Sequence, residues 1–186
     1  MNARIIVLFC LFIPFSFLGQ STKQLKARKI KSVKTTNISD KKGSSTITYR
    51  EEKINRKGQI VETISRNADS TISRWSQNAY DRKGHLVSTK SLTSSGKLKR
   101  ETITKYDALD RIEEISKTDS TGKITSSIHR TYNPQGLKIK EVHFGSENKL
   151  IKTVEYVYDN KGMLIERIEK NGEGKIVTRK KIEYQY

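Results

Sequence analysis

The chain has 186 residues, 33% of them hydrophobic and 31% charged, and its 37 Lys and Arg against 20 Asp and Glu give a formal net charge of +17. Its single cysteine excludes an intramolecular disulfide framework, and the shortage of large apolar side chains excludes a large globular core. What is left is disorder or a thin sheet held by strand pairing, and periodicity decides for the sheet.

The N-terminus comes first. Arg4 precedes an apolar run from Ile5 to Leu18 that ends at Gly19–Gln20, the pattern of a secretory signal peptide spanning residues 1–19. Fourteen apolar residues are too few to span a bilayer, which takes about 20, and no second apolar run follows, so the chain is not expected to cross a membrane. Cys10 lies inside this run behind Phe9, where a lipid-attachment motif needs a small residue, so an acyl anchor is not expected. Export to the periplasm, the cell surface or the medium is the expectation.

Residues 20–43 form a basic segment. Between Ser21 and Lys42 there are eight Lys or Arg and one Asp, and the alternation in LKARKIKSVKT leaves open a basic tether or a first strand covering the sheet edge. A frayed tail leading into a strand is the reading adopted. Lys26, Arg28, Lys29, Lys31 and Lys34 are the candidate contacts for an anionic ligand.

From residue 44 to 186 the chain repeats itself. Tyr80, Tyr106, Tyr132, Tyr158 and Tyr184 each lie 26 residues from the next, with Ile54 in the same slot one step earlier. Each of the first four is followed by a turn, marked by Gly84, Gly136 and Gly162, and then by an apolar residue such as Leu86, Ile112 or Leu164. A second turn recurs in phase, in SSGKL, STGKI, SENKL and GEGKI. The intervening segments, such as KITSSIHRTY and KLIKTVEYVY, are rich in Ile, Val, Thr and Tyr, as strands are. A turn signal every 12 to 14 residues leaves no room for sustained helical spacing. The fold expected is all-β, a single-domain antiparallel meander of about 11–12 strands built from repeated β-hairpins. Two apolar columns are expected to hold it together, one of Tyr and its partners and one from Ile72, Leu98, Ile124, Leu150 and Ile176, with hydrated polar side chains between them.

The cores YDRKGHL, YDALDRI, YNPQGLKI and YDNKGML resemble the YD repeats of RHS-type proteins. The resemblance implies hairpins strung into a curled open sheet, and an association with carbohydrate and the cell surface. Departures are a longer period, Asp110 in place of a turn glycine, Asn133–Pro134 in another turn, and Ile54–Asn55 in the first copy.

Catalysis finds no motif. His85, His129 and His143 occupy three different phases of the repeat, and the pairs Glu113–Glu114 and Asp107–Asp110 are explained by turn capping and cross-strand pairing. No metal or other cofactor is expected, and nucleic acid is disfavoured by the export signal and the lack of a base-reading element. Trp75, the one Trp, falls outside the Tyr column and is the candidate aromatic ligand contact. An outer-membrane barrel is excluded by segments such as KLKRETITKY, which would put charge into hydrocarbon. The expected function is an exported, non-enzymatic binding or surface-structural module contacting anionic envelope glycans. The alternative is an exported immunity or inhibitor protein that binds a toxin or another protein partner.

Overall fold

In the computed structural model, residues 18–41 and 44–185 are described. They form one α-helix, α1 (Leu18–Ala27), a short 3-10 turn at Ser146–Asn148, and twelve strands: β1 (Ser32–Lys41), β2 (Ser44–Ile54), β3 (Ile60–Asn67), β4 (Ile72–Tyr80), β5 (Leu86–Leu92), β6 (Leu98–Tyr106), β7 (Ile112–Asp119), β8 (Ile124–Tyr132), β9 (Lys138–Phe144), β10 (Leu150–Tyr158), β11 (Leu164–Asn171) and β12 (Ile176–Lys181). Each strand pairs antiparallel with its neighbour in sequence, so the twelve make one open meander from β1 to β12. The expected signal segment, apart from Leu18 and Gly19, lies outside the described residues, as does Cys10.

One turn chemistry builds most of the hairpins. At the end of the strand stands an Asp, Asn or Thr whose amide bonds the carbonyl four residues on, while its own carbonyl takes the amide three residues on, as in Asp107 N to Arg111 O (2.9 Å) and Asp110 N to Asp107 O (3.0 Å). The first side chain closes the loop from inside: Asp107 Oδ1 accepts from the amides of Leu109 and Arg111, and Asp159 Oδ1 from those of Lys161 and Met163. The residue three places on must enter the left-handed region to return the chain. Glycine does this at Gly84, Gly136 and Gly162, while Ser70 and Asp110 do it with a Cβ; the turn after β9 differs, opening on Gly145 with both Glu147 and Asn148 left-handed. The turn in YD and the turn in SSGKL are thus the same device at opposite ends of the sheet.

The tyrosines couple the repeats through their hydroxyls. Tyr80, Tyr106, Tyr132, Tyr158 and Tyr184 donate to the carbonyls of Ile60, Leu86, Ile112, Lys138 and Leu164, each 20 residues back, at 2.8–3.1 Å. Within its own hairpin each tyrosine that has a following strand pairs with the strand's first residue, as Tyr80 with Leu86, Tyr106 with Ile112 and Tyr158 with Leu164. Every such residue therefore lies beside one tyrosine and offers its carbonyl to the next. Burial pushes the phenols of Tyr80, Tyr106 and Tyr158 up from their ordinary value, keeping them protonated donors.

The expected second apolar column is not buried. Ile124 and Ile176 are each 45% exposed and Leu150 is 37% exposed. The described strands form a single layer, and among the described residues only Ile54, Val154 and Ile168 are buried apolar side chains. Burial falls instead on polar groups in mid-sheet: Glu62, Thr63, Ser116, Thr118, Ser127 and Glu141. Aligned neighbours on a flat face shield the middle of each strand better than its ends.

Candidate functional site

The basic segment does not fray. Residues Leu18–Ala27 include Gln, Lys, Leu and Ala, all good helix formers, and the helix ends where Lys29 turns left-handed at φ 53°. The amide of Lys29 bonds the carbonyl of Lys26 at 3.1 Å, and that of Ile30 reaches back to Leu25 at 3.0 Å. This paired closure satisfies two terminal carbonyls and brings Ile30 against Leu25. The expected frayed tail is thereby corrected to a helix followed by a strand, because the helix end is capped by its own chain.

Closing the helix also builds a cleft. Leu25, Ile30 and Ile54 supply its apolar part, and Lys26, Lys29, Lys31 and Arg56 supply its charge, around a volume of about 420 Å³. The amide of Ile54 bonds the carbonyl of Lys31 at 2.8 Å, which fixes the first repeat against the start of β1. Ile54 stands in the tyrosine slot and is 8% exposed. Terminal repeats of an array need a cap, and here an apolar residue meets an apolar helix end where in later repeats a hydroxyl reaches back to the preceding strand. None of the four cations forms an ion pair with a described residue, while Lys and Arg elsewhere in the sheet are ion-paired, as in Lys53–Glu62 and Lys105–Glu114. Four positive charges around an apolar hollow suit an anionic ligand with some apolar surface.

The other expected contacts lie elsewhere. Arg28 is exposed just past α1 and is not part of the cleft. Lys34, in β1, borders a separate depression with Tyr49, Arg50 and Arg66. Trp75 is committed inside the sheet: its indole N–H donates to Glu62 Oε1 at 2.9 Å and its ring lies 3.3 Å from where a Cβ on Gly96 would stand. Glu62 also takes Gln77 at 3.1 Å and pairs with Lys53, whose hydrogen bond leads in holding the carboxyl below its usual range against the opposing effect of burial. Gly84, Gly136 and Gly162 serve turns, and Leu86, Ile112 and Leu164 serve the tyrosine ladder.

A second polar network, on the opposite face, was not apparent from the sequence. Glu141 is 9% exposed and receives Arg130 Nε and Lys138 Nζ, each at 2.9 Å, and the Tyr156 hydroxyl at 3.1 Å. Burial acts on it most strongly and upward, yet Lys138, Tyr156 and Arg130 together outweigh burial and hold its pKa at about 2. His143 Nε2 lies 3.6 Å from the same carboxylate, beyond hydrogen-bond range, and burial lowers that imidazole's pKa. The other histidines serve packing: His85 stacks on Tyr106 at 4.6 Å and His129 meets the edge of Phe144 at 5.4 Å.

No family model matches the chain, and no curated protein matches it. Among solved structures it is similar to a porin-like protein from Bacteroides uniformis, at 16% identity and a TM-score of 0.46, covering 78% of this chain and 74% of that one. It is also similar to the Photorhabdus luminescens Tc holotoxin pore, at 15% identity and a TM-score of 0.27, and to a TcdB2-TccC3-Cdc42 complex, at 14% and 0.30. This chain spans 11% of the length of each of those toxin chains. No helix among the described residues is long and apolar enough to cross a membrane.

Proposed function

We propose that the protein is an exported, non-enzymatic binding module of YD-repeat type that contacts anionic polymers of the cell envelope through its N-terminal cleft. The observation that carries this reading is the convergence of Lys26, Lys29, Lys31 and Arg56, none ion-paired to a described residue, on one hollow beside Leu25, Ile30 and Ile54. Cations left without acids on a protein of formal charge +17 are a standing attraction for polyanions. The apolar run at Ile5–Leu18 supports export, and the in-phase YD cores support the repeat family. The open sheet serves as the scaffold that displays the cleft.

The test is binding of the chain beginning at Gln20 to immobilised polygalacturonate over a salt series, beside a variant with Lys26, Lys29, Lys31 and Arg56 all changed to Gln. Affinity of the parent falls steeply above physiological salt, where the Debye length drops below about 8 Å, and the variant binds at least tenfold more weakly. Equal binding by the two proteins, or salt-independent binding to neutral dextran, contradicts the reading.

A further inference from the structure

A second set of cations without partners lies in mid-sheet, on strands β4 to β7. Ser76 of β4 pairs with Ser91 of β5, which pairs with Arg100 of β6. Two residues along, Thr89 of β5 pairs with Thr102 of β6, which pairs with Lys117 of β7. Cross-strand partners, and residues two apart in one strand, share a face, so both rows lie on one side of the sheet. Arg74, two residues before Ser76, joins the same face. These side chains surround a shallow cleft of about 420 Å³ with three cations and no acid in its lining.

Both charge and hydroxyls are free for a ligand. Arg74, Arg100 and Lys117 form no ion pair with a described residue, and the hydroxyls of Ser76, Ser91 and Thr102 make no hydrogen bond with a described residue's side chain or carbonyl. The Thr89 hydroxyl donates to Asn78 at 3.0 Å and keeps its lone pairs. The nearest acid in register, Asp119 opposite Arg100, is engaged by its own turn, where Oδ1 accepts from the amides of Thr121 and Lys123 and from the Thr121 hydroxyl.

We infer that this face binds a linear acidic polysaccharide laid across the strands. This rests on the proposed function and adds to it a second site with a defined ligand geometry. Arg74 and Arg100 hold the same position in successive repeats, two strands apart and offset by two residues along them, so their backbone positions are separated by roughly 12 Å on the sheet. A linear sugar chain with a carboxylate on each residue, such as polygalacturonate, offers anions to both guanidiniums along one strand of polymer. The hydroxyl rows between the cations meet the neutral sugar hydroxyls with alternate donors and acceptors. No aromatic side chain borders the cleft, and single-stranded nucleic acid takes much of its affinity from stacking on aromatic rings, so the lining favours a glycan.

The experiment uses the chain from Gln20 and measures binding to polygalacturonate, oligogalacturonates of increasing length, neutral dextran and single-stranded DNA. The doubly substituted Arg74→Gln, Arg100→Gln protein loses at least fivefold in affinity for polygalacturonate with an unchanged thermal midpoint, and Lys117→Glu, on a different strand, reproduces the loss. Affinity for oligomers rises with length until they reach from β4 to β7, three strand steps or roughly 14 Å, and then levels off. If both variants bind like the parent while the N-terminal variant does not, the mid-sheet site is wrong and the proposed function stands. If the parent binds no acidic glycan, both fall. Tighter binding of DNA than of polygalacturonate, lost in the doubly substituted protein, overturns the glycan assignment.

Discussion

One face of this sheet carries two kinds of charge. Lys117 pairs with Ser126, two residues before Ile128 and four before Arg130, so β4–β7 and β8–β11 present the same side. In β8–β11 each central acid is bracketed by cations: Glu141 by Arg130 and Lys138, and Glu169 by Lys152 at 3.0 Å and Arg167 at 2.8 Å. In β4–β7 Arg74, Arg100 and Lys117 face hydroxyls. The first arrangement takes the place of a core, because a single-layer sheet has little apolar area to bury and relies on satisfied polar groups in mid-strand. The second leaves the sheet's own bonding unaffected. The comparison separates charges that hold the fold from charges offered to a ligand, and partners rather than residue type make the distinction.

The largest effect belongs to the compensated region. Glu141→Ala leaves Arg130, Lys138 and the Tyr156 hydroxyl without their acceptor and is expected to cost about 3 kcal/mol, lowering the thermal midpoint by roughly 10 °C. A loss below half that size would mean that water replaces the carboxylate. Acid should act through the same group. Its pKa is held at about 2 against an ordinary 4.5, so its stabilisation is fully present above about pH 4.5 and disappears as pH falls through 2. Up to about 3 kcal/mol should be lost across that window, and urea melts of parent and Glu141→Gln should converge at its acid end.

Smaller effects sharpen the contrast. The hydroxyl ladder is common to both regions, so Tyr106→Phe and Tyr158→Phe should each cost about 1 kcal/mol in urea melts, despite their different charged surroundings. A large difference between them would show that the ladder is not one repeated contact. Arg100→Gln should change stability by less than about 0.5 kcal/mol, since no described residue relies on that guanidinium.

The meander was legible because its signals are local. Tyr, Asp or Asn and Gly recur at fixed offsets, and one hairpin's turn chemistry can be read from seven residues such as YDRKGHL. Burial was not legible. Ile124, Leu150 and Ile176 look like core residues in a strand pattern, and only a single layer shows them exposed. The helix was hidden because LGQSTKQLKA carries no apolar stripe, and its end is fixed by backbone bonds from Lys29 and Ile30 that no side chain announces. Glu141 and the mid-sheet cleft both depend on register across strands: Lys117 is 17 residues from Arg100 in sequence and enters the cleft only through its pairing with Thr102. The equivalence of Arg74 and Arg100 was visible as a 26-residue spacing, and it acquired meaning once both proved to lack acids.

Twenty-six residues, two strands with two like turns, are the unit from which the sheet is built. Removing Tyr106–Thr131 takes out one such unit and joins Lys105 to Tyr132, keeping strand direction and the tyrosine spacing. Removing Ile112–Lys123 takes out one strand and one turn and reverses every strand that follows. Thermal melts of both proteins followed by far-ultraviolet circular dichroism decide the matter. The 26-residue deletion should show a cooperative β-sheet transition and the shorter one none, and equal collapse of the two, or equal survival, would mean that the 26-residue phase is not the structural unit.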